Sequence, residues 1–593
     1  MSKYNVIELK IRDGQLIDFE QKSEAEKNAL RNQNAIYVYR GTKSQKIYVG
    51  QTKNFEKRHK QHYSGVEEKF LNADFDEVIV GFSREFNRSV LDDVESKLIT
   101  YFSADKQHKL KTMVDFNHSD VVLNRTRGNN VNDYIGREKV SSEIILPLWE
   151  NIFYEKGWVE NKTIDELRTK ELVKYSPVKV LTDEQAKLID EIVHNPQKNY
   201  VINGDAGTGK TVLLTHLVAS MLIERKSAKI GVVVQPNWEK TGVDIFKTYG
   251  MDNGRLSILT STKLITTREN YDVIIVDESH KMSRRYGKQH PSFNAVYKIS
   301  EFENCQSHLE ILQHLGKQIV LMYDVLQGIR PANITRNMFQ NLTKKYEKKF
   351  LSTQFRIQTP KGKSYTSDDY INGIKYLLYK DTDLLDSTLT NYDPHFNRDV
   401  FRDNDIDAYF GYVTENPLHN LTEWIERDKN FNPEHINRIL AGLVEAWKQS
   451  EGKNPSIIHW QEGNMKRRWN STQENWINSK EEDAEEQIGS VFAVQGIDLN
   501  KVGVLIGKDL QVNSKGQLFA DSNNFFNTNG TFTVEEMKKE ENKLEFTLFV
   551  LNIYYVLLTR GIDGIRVGFW KNDAFRKYME ETLEIKENLP SLE

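Results

Sequence analysis

The sequence predicts a multidomain α/β protein. A small α+β domain on an antiparallel three-stranded sheet comes first, followed by two α/β domains with parallel sheets, the second carrying an inserted subdomain. Three observations predict it. Short β-branched and aromatic runs near the N-terminus are separated by turn residues and followed by amphipathic stretches. A strand, a glycine-rich loop and a helical run succeed one another from Asn199. Further on, the apolar runs Val273–Val276 and Ile319–Met322 each lead into polar side chains, as buried parallel strands do.

The 593 residues are enough for about four domains, and 38% hydrophobic residues exclude a disordered chain. Lys and Arg number 81 against 85 Asp and Glu, for a net charge of −4. Bulk charge therefore cannot hold a polyanion, and any nucleic-acid contact must come from local patches. One such patch spans Arg31 to Tyr63, where Arg31, Arg40, Lys43, Lys46, Lys53, Lys57, Arg58 and Lys60 face a single acid, Glu56. The opposite extreme, Glu481–Glu486, reads as a solvated acidic face. The lone Cys305 excludes a disulfide framework and a Cys-rich metal site, and reads as a small buried hydrophobe. Met1–Lys22 lacks the apolar core of a signal peptide. The longest apolar runs, Ile553–Leu558 among them, have strand length and fall short of the ~20 residues that span a bilayer. A cytoplasmic protein without a membrane partner is expected.

Within the first domain, Ala35–Tyr39 and Lys46–Val49 flank the turn residues Gly41–Gln45 and form a hairpin. Asn54 is placed to cap a helix on which Arg58 and His62, four apart, share a face. Glu77–Phe82 is a third strand, and Arg88–Phe102 an amphipathic helix that carries Glu95.

From about residue 34 to 127 this arrangement resembles the GIY-YIG nuclease family. Ala35-Ile36-Tyr37 stands for the first element, with alanine in place of its glycine, and Tyr48-Val49-Gly50 for the second. The resemblance implies a nuclease domain over 1–128 that hydrolyses phosphodiesters with Mg²⁺, or Mn²⁺, held by Glu95. Arg58 would stabilise charge on the phosphate, Tyr37 would serve as the base, and Tyr48, His62 and Asn124 would position the reactants. A helical connector over 129–177 follows, with Ile144, Ile145, Leu148, Trp149 and Phe153 on its inward face.

The loop Gly204-Asp205-Ala206-Gly207-Thr208-Gly209-Lys210-Thr211 lies between an apolar strand and the helical run Val212–Leu222. Its glycines let backbone N–H groups close on phosphates. Lys210 reaches the terminal phosphates of ATP, and Thr211 ligates Mg²⁺. Asp277, for Mg²⁺, and Glu278, to activate water, stand at the end of a buried strand. Beyond these, Gln185 lies just before the loop, and Asp324 and Gln327 follow the next strand. Gln354-Phe355-Arg356, Gly489–Asp498 with Gln495 and Gly496, and Tyr555–Gly561 with Arg560 come in order. Over 178–575 the series resembles the Schlafen-like branch of superfamily 1 helicases. It implies two RecA-like domains, 178–345 and 346–593, that hold ATP between Lys210, Asp277 and Glu278 on one side and the arginine fingers Arg356 and Arg560 on the other. Gln185 would read adenine.

Residues from about 360 to 480 form the expected insert. Its Lys466-Arg467-Arg468-Trp469 stretch, with Trp460 and Trp476, suits either a single-stranded nucleic-acid surface or a tryptophan core edged by basic residues.

The combined reading is an ATP-dependent nuclease–helicase acting on nucleic acid, with DNA expected. Family analogy alone sets it in bacterial anti-phage defence or DNA processing. The alternative is a remodelling or sensing ATPase whose first domain only binds nucleic acid.

Overall fold

In the computed structural model the described residues are 4–43, 46–64, 70, 74–105, 137–164, 167, 181–205, 207–248, 254–353, 356–360, 362–433, 435–446, 454–471, 476–479, 481–494, 499–527 and 531–585. The chain forms two compact units. One comprises Met1–Asn195, Thr211–Gly231 and Pro236–Ile258; the other comprises Pro196–Lys210, Val232–Gln235 and Leu259–Glu593.

The first unit opens with an antiparallel sheet of β1 (Tyr4–Arg12), β2 (Gln15–Leu16), β3 (Ala35–Arg40), β4 (Ile47–Thr52) and β5 (Glu77–Ser83), in the order β2-β1-β5-β3-β4. The expected three strands are its β5-β3-β4 half. The sheet is wider because residues 4–16 add a hairpin whose turn, Asp13-Gly14, has positive φ at both positions (50° and 74°), the conformation that aspartate and glycine favour in two-residue turns. Helix Phe55–His62 starts where Asn54 accepts from the Lys57 N–H at 2.8 Å. Helix Arg88–Asp105 carries Leu91, Val94, Leu98 and Phe102 into the core.

The connector packs onto this domain. Its helical run Arg137–Tyr154 widens to π-type turns at Ser141–Ile145 and Trp149–Tyr154. Phe102 meets Trp149 and Phe153 with ring centres at 5.1 and 5.0 Å, and Asp105 accepts from the Glu160 and Asn161 N–H groups at 2.9 and 2.8 Å.

The second unit contains two parallel sheets. In the first, the strands that lie wholly within this unit run in the order β11-β6-β10-β9, with β6 (Tyr200–Gly204), β10 (Gly316–Tyr323) and β9 (Tyr271–Val276) side by side and β11 (Glu347–Leu351) at the edge. Strand β7 (Ile230–Val233) joins through Val233, whose carbonyl accepts from the Asp277 N–H at 2.8 Å, and β8 (Leu256–Leu259) through Leu259, whose carbonyl accepts from the Val234 N–H at 3.0 Å. The central strands are buried on both faces, which accounts for their unbroken apolar runs. The second sheet orders β12 (Phe410–Val413), β19 (Gly561–Phe569), β16 (Leu499–Ile506) and β13 (Arg438–Ala441), all parallel. A single core joins Ile274 and Leu321 of one sheet to Val504 and Val567 of the other through helix Glu540–Leu558.

Two expectations change. Ile553–Leu558 is the last part of that helix rather than a strand, and its apolar run reflects burial on every side. Residues 360–480 are not a separate insert, because β12 and β13 within that range stand in the second parallel sheet. What departs from the sheet here is the small hairpin of β14 (Trp460–Glu462) and β15 (Met465–Arg467), as does further on that of β17 (Leu510–Val512) and β18 (Leu518–Ala520). Among the described residues, no helix is long and apolar enough to cross a membrane.

Candidate functional site

Strand pairing in the first sheet sets Tyr37 opposite Gly50 and Tyr39 opposite Tyr48. A Cβ at position 50 would lie 2.4 Å from the Tyr37 hydroxyl, so glycine is what lets that hydroxyl cross the neighbouring strand. There it shares a 3.0 Å hydrogen bond with His62 Nε2. Burial, followed by the neighbouring Tyr48, pushes the Tyr37 phenol well above its ordinary pKa, while Arg58 pulls the other way. The phenol therefore keeps its proton. Tyr48 lies edge-on to His62 with ring centres 5.5 Å apart. Arg58 is half-buried on the same helix as His62, and Glu95 is buried, with one carboxylate oxygen accepting from Gln51 Nε2 at 2.7 Å.

A second tyrosine–histidine pair, not anticipated from sequence, lies alongside. His59 Nε2 donates to the Gly14 carbonyl at 3.1 Å, which leaves Nδ1 to accept from the Tyr39 hydroxyl at 2.8 Å. Burial lowers the His59 pKa to about 4, so the ring stays neutral and ties the helix to the first hairpin. The donor set suits a hard cation. Among the described residues no cluster of three or more His, Cys, Asp or Glu is gathered, and a single buried carboxylate that leaves its other places to water and phosphate is how Mg²⁺ is commonly held.

In the second unit the phosphate loop follows β6. Gly207 and Gly209 have φ of 88° and 79°, a region closed to most side chains. A Cβ on Gly204 would lie 2.5 Å from Thr208 Oγ1. Lys210 Nζ donates to the carbonyls of Gly204 and Asp205 at 2.5 and 3.0 Å, and lies 3.8 Å from Asp324. Asp324 in turn accepts from Gln327 Nε2 at 2.6 Å.

At the end of β9, burial and the neighbouring Glu278 raise the Asp277 pKa to about 7. Glu278 is half-buried; desolvation pushes it up, yet Lys281 and His280 hold it well below the usual range, so it stays ionised. Its backbone is left-handed, with φ of 49°, and strain of this kind concentrates at functional positions. Arg356 Nη1 donates to the Thr559 carbonyl at 3.3 Å, beside the buried Arg560. Burial lowers the Lys281 pKa and Arg560 adds to that effect, which sets Arg560 within electrostatic reach of the Asp277–Glu278 segment.

Gln185 closes a capping box with Thr182, its Oε1 accepting from the Thr182 N–H at 3.1 Å. Thr211 lies in the first turn of the helix Lys210–Glu224 that follows the loop. Asn124, Ala206, Gln354, Phe355, Gln495 and Gly496 lie outside the described residues.

The basic–aromatic stretch resolves to the core alternative. Trp460, Trp469 and Trp476 are 0%, 2% and 0% exposed. Arg468 is likewise buried and donates to Asp483 Oδ1 and Glu481 Oε2 at 2.7 and 2.5 Å. The acidic run is thus the partner of the basic one.

An antiparallel sheet that presents Tyr37 to His62 of the helix Phe55–His62, and parallel sheets with a phosphate loop and paired strand-end acids, define a nuclease domain joined to a P-loop ATPase. The GIY-YIG catalytic domain family matches residues 33–108, and the Schlafen group 3, DNA/RNA helicase domain family matches residues 197–571. The second match takes in more than half of the sequence, and the chain belongs to that helicase family. It combines the parts of an endonuclease with those of an ATPase/helicase.

An uncharacterized protein of Saccharomyces cerevisiae, YPL245W, is 24% identical over 441 residues, which is 65% of this chain and 88% of the relative. Among solved structures, unliganded Pif1 from Bacteroides sp is 16% identical over 42% of this chain, with a TM-score of 0.20. The match covers 56% of that Pif1 chain, little more than half its length. Pif1 from Candida albicans is 12% identical over 68% of this chain and 99% of its own, with a TM-score of 0.28. The DUF1998 helicase MrfA bound to DNA is 8% identical over 68% and 51%, with a TM-score of 0.30.

Proposed function

We propose that the chain is a metal-dependent endonuclease acting on DNA in the cytoplasm, with cutting coupled to ATP hydrolysis by its helicase domain. The observation that carries this reading is the Tyr37 hydroxyl, laid over Gly50 and hydrogen-bonded to His62, in a domain where Glu95 is buried and oriented by Gln51. His62 Nε2 can take the phenolic proton as Tyr37 receives one from the attacking water, so the buried phenol need never persist as a free phenolate. Arg58 supplies positive charge to the phosphate as it reacts. A divalent ion at Glu95 would polarise the phosphoryl oxygen.

In the motor, Lys210 exchanges its loop carbonyls for phosphate oxygens. Glu278, kept ionised by Lys281, accepts a proton from water, and Arg356 and Arg560 offset charge on the transferred group. Asp277 and Thr211 are the residues that would hold Mg²⁺. Family analogy gives defence against foreign DNA, or DNA processing, as the setting.

Glu95→Ala should lower Mg²⁺-dependent cleavage by about a hundredfold or more with ATPase unchanged, and Lys210→Ala should abolish ATPase. Cleavage at the wild-type rate by Glu95→Ala, on single-stranded, duplex, forked and RNA substrates, would sink the nuclease assignment.

A further inference from the structure

Helix Ser367–Tyr379 is fixed at its start by a capping box between Thr366 and Asp369. Lys375, on its inner face, is completely buried. A lysine in such a place must be neutralised or paired, and its charge marks a specific role more readily than a need for bulk, which methionine would meet. The Lys375 ammonium lies 2.7 Å from Asp205 Oδ2 and also donates to the Asn391 carbonyl. The other Asp205 oxygen accepts from the Tyr555 hydroxyl at 3.4 Å. Asp205 is the second residue of the phosphate loop, and its backbone carbonyl receives Lys210. One residue therefore has its side chain held by two helices while its main chain holds the phosphate-binding lysine.

Those helices are themselves tied together. The Tyr370 hydroxyl donates to the Leu558 carbonyl at 2.8 Å, and the Tyr379 hydroxyl to Asn552 Oδ1 at 2.7 Å. Asn552 Nδ2 donates to the carbonyls of Val325 and Gly328, on either side of Gln327.

We propose that Lys375 is a positioning residue of the ATP site. It clamps Asp205, sets the path of the phosphate loop and, with Tyr555, joins that loop to the helix that runs up to Arg560. The proposal rests on the reading of Gly204–Thr211 as the nucleotide site. Lys375 does not touch the nucleotide, so its removal weakens ATP binding by loosening the loop while chemistry on bound ATP largely survives.

The test is steady-state ATPase kinetics on the full chain with K375M, K375R, D205N and the K375M/D205N double variant, with K210A as control. K375M should raise KM for ATP about tenfold with kcat within about threefold, and K375R should return KM to within about threefold of wild type. D205N should reproduce K375M. The double variant should be no worse than K375M, because the two residues act through one contact. A folded K375M with KM within about twofold of wild type, or a double variant whose effect is the product of the singles, overturns the clamp. Should K375M fail to fold, D205N decides, since asparagine keeps the shape and removes the charge; an unchanged KM is then fatal to the proposal. An active K210A would strike down the nucleotide-site reading itself, whereas a dead K210A beside a wild-type D205N strikes down the clamp alone.

Discussion

A methyl group at position 50 would sit 2.4 Å from the Tyr37 hydroxyl and 2.5 Å from the ring carbon that bears it. A rigid ring in a packed core cannot step aside as a flexible chain would, so Gly50→Ala should displace Tyr37 from His62. Cleavage should fall by about tenfold or more, stability by roughly 1–3 kcal/mol, and ATPase activity should not change. Equal cleavage rates for Gly50→Ala and wild type would show that the phenol can be placed elsewhere. Another residue-scale effect is electrostatic. Burial raises the Asp509 pKa from 3.8 to about 7, and Tyr554 donates to its Oδ1 at 2.5 Å. Between those two values the unfolded chain has released a proton that the folded one still holds, so stability falls as pH rises from about 4 to 7 and levels off above. The span is on the order of 4 kcal/mol, and Asp509→Asn should flatten that part of a stability-against-pH curve measured by denaturant titration. Residues such as Tyr37, Tyr48 and Lys210 stand out in the sequence because their spacing along the chain is their signature. Gln51 and Lys375 do not: their partners Glu95 and Asp205 lie 44 and 170 positions away, and nothing local marks either pair.

Among the elements, the β14–β15 hairpin shows how two charge runs can disguise each other. Lys466-Arg467-Arg468 and Glu481–Glu486 each read as solvated or ligand-binding in isolation, yet Arg468 joins them. Arg468→Ala should lower stability by about 2 kcal/mol, as the loss of hydrogen bonds to charged groups does, and leave affinity for single-stranded DNA unaltered in a filter or anisotropy assay. A clear loss of affinity in a folded variant would return the stretch to the nucleic-acid surface. The run Ile553–Leu558 has the length of a strand in the sequence and is helical in the structure, because burial on all sides erases the amphipathic period that separates the two. The first hairpin, by contrast, had a readable sign in Asp13-Gly14, a dipeptide that favours its turn. Its role could not be read, because the contact that gives it one, from His59 to the Gly14 carbonyl, crosses 45 positions.

At the scale of the molecule, the order of nuclease and helicase parts was legible, since each is announced by its own motif. The boundaries drawn within them fared differently. The presumed insert dissolved into the second sheet because β12 and β13 are only four residues each and carry no motif. The connector proved to be part of the nuclease domain's packing, with Trp149 and Phe153 against Phe102. A chain ending at residue 164 should therefore melt at a markedly higher temperature than one ending at 128, by several degrees for each kcal/mol retained. Equal melting temperatures would mean that the connector contributes no stability. The helix Glu540–Leu558 carries a different consequence. Asn552 grips the turn around Gln327, Tyr555 reaches Asp205, and Arg560 follows at the end. These groups are set like cams on one shaft, and each added residue would turn those beyond it by about 100°. A single alanine inserted between Asn552 and Tyr555 should throw the whole train out of phase, where many side-chain replacements in the same helix would only weaken it.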